Sequence, residues 1–503
     1  MSIADGALVA MAASAAFIDG FLNSSTPVYG VTTGFGSLAS TVIPAERTAE
    51  LQRALVRSHA AGMGALVERE VVRAMMALRL RSLCMGYSGV RPLVAQGISA
   101  LLNAGITPLV HEHGSLGASG DLAPLAHAAL ALIGEGFVCN AAGEIVPAID
   151  ALQAAGLSPI ELRAKEGLAL INGTDGILGM LVMALADLDD ALATADVVAA
   201  ITTESLLGTD RAWAADLQAL RPHIGQAVSA ARMTAVMAGS GIRESHRKGD
   251  GKVQDAYSLR CTPQVHGAAL DTIAYAHTVA GNELRSAIDN PMILPDGRVE
   301  SCGNFHGAPL AYACDFLAIA IADIGALAER RTDRLLDPHR SAGLPAFLAP
   351  DAGVNSGMMI AHYTQAAMVM ENRRLATPAS VDTLPTSALQ EDHVSMGWAA
   401  ARKLRVTVTN YQRILGVELA CASRAIDLRA PLAPSPVTTG VVALVREFCD
   451  GPGPDRWLAP ELAAVADLVA SGAIRAATES VIGSLDVDDV QAHIAAHNKG
   501  ASS

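Results

Sequence analysis

Five stretches of this chain, 177–206, 265–286, 308–336, 356–375 and 396–428, carry apolar residues at helical spacing with few charges among them. A shorter one, 68–86, shows the pattern openly: Val71, Val72, Met75, Met76, Leu78 and Leu83 fall three and four apart with arginines between. A helix that is apolar nearly all round has to be covered on every side. Several such helices in one chain predict a central bundle, continued across subunits. Hydrophobic residues make up 51% of the chain and aromatics only 4%, so the core is built of small aliphatic side chains that suit closely packed helices. That composition excludes wholesale disorder. The expected fold is mainly α. A loop-rich N-terminal region covers 1–175, a long-helix bundle 176–430 and a smaller C-terminal helical region 431–503.

The formal net charge is −14. An acidic surface argues against nucleic acid or an anionic membrane as the main partner. The seven cysteines are scattered, with no C-x-x-C pair, and read as reduced thiols of a cytoplasmic protein. The first 20 residues are apolar but hold no Lys or Arg, unlike a signal peptide. Acidic residues interrupt the apolar runs before they reach the roughly 18 residues that span a bilayer.

Several glycine- and histidine-rich stretches fall short of a known chemistry. Gly114, Gly117 and Gly120 lack the spacing of a phosphate loop and any following Lys-Ser/Thr. Around Ser119, Asp121 stands where a hydrolase nucleophile turn needs glycine. His111-Glu112-His113 reads as a solvated loop, a metal site requiring it to be strand-like. Residues 247–252, RKGDGK, read as a mobile surface segment. No metal site is expected.

One stretch is different. GSLGASGDLAPLAH (114–127) resembles the prosthetic-group segment of the aromatic amino acid ammonia-lyases. VYGVTTGFG (28–36), LVRSHAAGMG (55–64), LALINGTDG (168–176), VQDAYSLRCTPQ (253–264) with GNFHG (303–307), and PTSALQEDHVSMGW (385–398) agree with the same family. The resemblance covers nearly the whole chain. It implies a fumarase/aspartase-like helical architecture and a homotetramer whose active sites are shared between subunits. It also implies that Ala118, Ser119 and Gly120 cyclise to 4-methylideneimidazole-5-one, with no external cofactor. The residue types suit that reaction: the Gly120 amide nitrogen must reach the Ala118 carbonyl carbon, and small residues allow the tight turn.

By the same resemblance, Tyr29 and Tyr257 place hydroxyls near the reacting atoms, with Tyr29 as the general base. A phenol ordinarily titrates near pH 10, so the surroundings of Tyr29 need to lower its pKa. Arg260 would clamp the substrate carboxylate with its planar fork. Asn172 would offer an amide donor to developing negative charge, although Asn-Gly is also a turn signal. Gln254 and Phe305 would line the substrate, Phe305 stacking on its ring.

Ser58 and His59 occupy the side-chain selectivity position, and Glu391 stands where the phenylalanine and tyrosine branches usually carry an amide. An imidazole can pair with a histidine on one side and a carboxylate on the other. A phenyl ring would leave the carboxylate uncompensated. The expected reaction is elimination of ammonia from L-histidine to give trans-urocanate. A tyrosine or phenylalanine lyase or 2,3-aminomutase with the same prosthetic group is the alternative.

Overall fold

The structure is a computed structural model and describes residues 1–22 and 28–500. The expected long helices form at Arg69–Leu83, Asp175–Ser205, Thr262–Glu283, Ala308–Leu336, Met359–Leu375 and Gly397–Asp427. Most are rich in Ala, Leu and Met, strong helix formers. Asp175 opens its helix with a negative charge in the first turn, where the helix dipole favours it.

The chain divides into two compact units. One comprises 1–183, 278–315 and 378–402, the other 184–277, 316–377 and 403–503. Contacts therefore group the chain differently from composition, since four of these divisions fall inside long helices. The first unit packs the helices Thr48–His59, Arg69–Leu83, Pro92–Asn103, Leu122–Leu132 and Glu166–Ile171 together. It also holds the strands. Thr107–Pro108, Phe137–Cys139 and Ile145–Pro147 form one antiparallel sheet, Met292–Ile293 pairs with Val299–Glu300, and Met63–Leu66 pairs with His111–His113. The His111–His113 segment is thus a strand rather than a solvated loop, because its backbone finds partners on Met63–Leu66. Among the described residues, no group of three or more His, Cys, Asp or Glu is placed to hold a metal.

In the second unit, a buried ion pair joins two of the long helices. Arg331 Nε lies 2.5 Å from Glu418 Oε1, and both side chains are fully buried. Thr202 Oγ1 donates to the same carboxylate oxygen at 2.8 Å, which brings in a third helix. The helix Ala308–Leu336 is long and apolar enough to cross a membrane by length and composition, but most of its apolar window is buried within the chain. All-round burial is incomplete in one chain, however. Tyr275, Phe316 and Ile319 stand nearly half exposed on neighbouring helices of this unit, with the Tyr275 and Phe316 rings 6.1 Å apart.

Removing one partner of a buried pair strands the other charge. Glu418→Gln is expected to lower unfolding stability by about 3–5 kcal/mol, read as a lower urea midpoint at unchanged slope.

Candidate active site

The first unit contains a cavity of about 520 Å³, a size suited to a small ligand. Tyr29, Ser58, His59, Ser119, Asn172 and Glu391 all line it. Six positions drawn from five separate sequence motifs thus meet in one place. Gln254, Tyr257 and Arg260 belong to the second unit, and neither they nor Phe305 line the cavity. Tyr257 is 71% exposed, with the Arg260 guanidinium carbon 4.6 Å above its ring.

The Ala118–Gly120 turn is gripped from both sides. Gly120 has φ +78°, and a Cβ there would lie 2.2 Å from the Gly173 carbonyl oxygen, so no other residue fits. The next amide, Asp121 N–H, donates to that same oxygen at 2.6 Å. The fully buried Asp121 carboxylate accepts from Gly176 N at 2.8 Å, Ile177 N at 2.9 Å and Ser115 Oγ at 2.8 Å. It therefore clips the turn onto the start of the Asp175–Ser205 helix, where free N–H groups and the helix dipole favour an anion. Burial outweighs these hydrogen bonds and pushes its pKa up to about 7.

The segment carrying Glu391 is laced to the residues just ahead of Ala118. Ser395 Oγ donates to Gly117 O at 3.0 Å, Met396 N to Leu116 O at 2.8 Å and Trp398 Nε1 to Glu112 O at 2.7 Å. Within it, Thr386 Oγ1 donates to Glu391 Oε2 at 2.7 Å. The other carboxylate oxygen, Oε1, faces Ser119 Oγ at 3.5 Å.

His59 ends the Thr48–His59 helix, and its Nδ1 lies 3.0 Å from the Leu55 carbonyl. A carbonyl can only accept, so Nδ1 carries the proton and Nε2 is left as an acceptor. Burial lowers the His59 pKa more than Leu55 and Glu391 raise it, which keeps the ring neutral at pH 7. Tyr29 differs from expectation. Gly36 N donates to its hydroxyl at 3.0 Å, but burial and the negative Glu391 outweigh that bond and raise its pKa. In the free chain it is a phenol that holds its proton. Asn172 also brings a surprise: its Nδ2 donates to Asp289 Oδ1 at 3.1 Å and to Asn290 O at 2.9 Å. Both of its donors are thus engaged by Asp289 and Asn290, and the buried Oδ1 has no partner among the described residues.

Sequence reasoning passed over Phe35, Leu122, Leu168, Asn290 and Ser387, all lining the cavity. Phe35 was within reach, since it sits in the Tyr29 motif and packs edge-on to that ring at 6.3 Å. Asp121, which breaks a hydrolase motif and belongs to the 114–127 segment, holds the turn through a carboxylate whose partners its own motif does not name.

Fold and cavity together define a lyase: a helical scaffold that presents a small-residue turn, a phenol, an imidazole and a carboxylate to one small ligand. The chain belongs to the aromatic amino acid lyase family, whose model matches residues 1–447. It is 60% identical to the histidine ammonia-lyase of Streptomyces coelicolor over 96% of this chain and 95% of that protein. Its fold matches the crystal structure of histidine ammonia-lyase from Trypanosoma cruzi, with a TM-score of 0.89 and 40% identity, over 97% of this chain and 92% of that one. Tyrosine aminomutase from Streptomyces globisporus matches at a TM-score of 0.90 and 38% identity, over 96% and 94% of the two chains. Family membership implies the 4-methylideneimidazole-5-one group. The Ala118–Gly120 turn fits it, because only a glycine passes Gly173 and the turn is already bent and held.

Raising a carboxyl pKa means the folded state favours its protonated form. The contribution of Asp121 to stability is therefore full below its ordinary value of 3.8 and is lost as pH rises through about 7. In Asp121→Asn this loss is expected to vanish, seen as a flatter profile of melting temperature between pH 4 and pH 7.

Proposed function

We propose that the chain eliminates ammonia from L-histidine to give trans-urocanate. The observation that carries this reading is the meeting of His59, Glu391, Tyr29 and Ser119 in one cavity. In the reaction the Cα–N and Cβ–H bonds break and a carbon–carbon double bond forms. The group made from Ala118, Ser119 and Gly120 supplies an electrophile that turns the amine into a leaving group.

The chain's own side chains do the rest. His59 Nε2 and Glu391 are both acceptors, so they select a ring with N–H donors on its edge. A neutral imidazole has one and the protonated ring two, while phenylalanine has none and would leave the Glu391 charge unpaired. A hydrogen bond to a charged group contributes about 1.5–3 kcal/mol, enough for discrimination of about 10- to 100-fold. Thr386 holds the second Glu391 oxygen and so aims the first. Tyr29 takes the β-proton at its hydroxyl oxygen. Its raised pKa in the free chain fits a base that becomes active on binding, since a cationic substrate beside it lowers the cost of the phenolate. The acceptor for the leaving amine is the buried Oδ1 of Asn172, which has no partner among the described residues.

Gln254, Tyr257, Arg260 and Phe305 complete the site from neighbouring subunits of a homotetramer, with Arg260 clamping the carboxylate and Phe305 covering the ring. The exposed Tyr257 and the uncovered Tyr275, Phe316 and Ile319 support such assembly. None of the seven cysteines is in a disulfide among the described residues, which suits a cytoplasmic enzyme.

Purified protein given L-histidine, L-tyrosine and L-phenylalanine separately tests the reading. Ammonia release from histidine is expected to dominate, with kcat/KM for histidine falling about 10- to 100-fold in Glu391→Gln through loss of a charged hydrogen bond. Release only from the other two amino acids overturns it. Shared sites predict complementation. Tyr29→Phe and Arg260→Met are each expected to be nearly inactive alone. Co-expressed, they should form mixed tetramers in which some sites regain both residues. No recovery in isolated mixed tetramers refutes sharing.

A further inference from the structure

Behind the cavity wall lies a set of buried charges that the elimination does not use. Lys165 and Asp289 are both fully buried, with Nζ 2.7 Å from Oδ2. Lys165 sits at φ +70°, a left-handed conformation that a side chain bearing Cβ rarely adopts. The second Asp289 oxygen accepts from Asn172 Nδ2, and the Asn290 carbonyl accepts from the same nitrogen. On the other side, Arg79 donates to the Asn172 carbonyl at 2.8 Å and to the Ile288 carbonyl at 2.7 Å. Backbone and side chain of Asn172 are thus both held from behind by charged groups, and only Oδ1 is left over.

Stability alone does not explain such a pair. A buried ion pair recovers little beyond its desolvation cost, and apolar residues of similar volume usually serve as well. What apolar residues cannot do is fix which end of a carboxamide faces outward. The two ends of Asn172 have nearly the same shape and opposite hydrogen-bonding character.

We propose that Lys165 and Asp289 are a positioning pair that locks the Asn172 carboxamide with its nitrogen turned away from the substrate and its oxygen free to accept from the substrate's amine. This rests on the elimination reading above. The chemistry matches: an ammonium carries three N–H donors and no lone pair, so it needs an acceptor beside it. Asp289 can only accept, which forces Asn172 to present nitrogen to it. Lys165 keeps its other oxygen occupied.

Asp289→Asn separates this role from a structural one. The introduced amide has one oxygen, which the Lys165 ammonium claims, so its NH2 faces Asn172. Asn172 then turns its own oxygen inward and its donors toward the cavity. Lys165→Met/Asp289→Leu removes both charges at similar volume and frees the carboxamide. Both are made in the full chain, with and without Ser119→Ala. The Ser119→Ala background lacks the electrophile and allows calorimetric titration of ligands without turnover. The probes are L-histidine and 3-(imidazol-4-yl)propanoate, which lacks only the amine.

Each variant is expected to weaken L-histidine binding about 10- to 100-fold, the loss of one hydrogen bond to a charged group. The deaminated probe should bind as in the parent, and kcat with Ser119 intact should fall. Equal weakening of both probes, or unchanged L-histidine binding in the folded variants, overturns the proposal. If the double variant does not fold, the isosteric Asp289→Asn decides alone. A parent that releases no ammonia from L-histidine refutes the elimination reading instead, whereas an active parent with unaffected variants refutes only the positioning role.

Discussion

The site hangs on one close approach, that of Gly120 to the Gly173 carbonyl. The two strands of backbone come so near that a methyl group between them would sit 2.2 Å from oxygen. Asp121 keeps them there. Its carboxylate spans the turn and the first amides of the Asp175–Ser205 helix, so a long helix anchors the turn that holds Ser119. Burying a carboxylate is costly, and three donors return only part of that cost, which is why its pKa stays near 7. An unstrained loop would spread Ala118, Ser119 and Gly120 over many conformations. A bent, pinned one holds them near a single geometry.

Around that turn, Glu391 brings a carboxylate into the cavity lining. His59 Nε2 and Glu391 are acceptors, the Tyr29 hydroxyl oxygen already accepts from Gly36 N, and the buried Asn172 Oδ1 has no partner among the described residues. In the free chain, Glu391 helps hold the hydroxyl proton on Tyr29. A ligand rich in N–H groups relieves both conditions at once. No guanidinium or ammonium group stands in the cavity lining among the described residues.

Much of this was legible in the residues. Helical periodicity located the six long helices to within a few positions, because a buried face repeats at 3.6 residues whatever its partner. The glycine, tyrosine, histidine and glutamate motifs named the cavity's main walls. What resisted reading was anything that depends on a neighbour distant in sequence. His111–His113 is a strand only because Met63–Leu66 lies beside it. Asn172 has its donors occupied because Asp289, more than a hundred residues on, takes them. The raised pKa of Tyr29 follows from burial and from Glu391, neither visible in its own motif. Lys165 shows no local sign of special use, since a lysine before a helix ordinarily reads as a solvated charge.

The amino-acid sequence by itself determined the helical class, the bent turn at 118–120 and the residue types that can serve an imidazole substrate. These follow from local periodicity, from the absence of a side chain on glycine and from the donors and acceptors each residue carries. Only the tertiary structure decided which polar atoms remain free. Hydrogen-bond capacity is a property of the residue, but its use is settled by whatever packs against it. The same packing sets the local dielectric, and with it the protonation of Asp121, His59 and Tyr29.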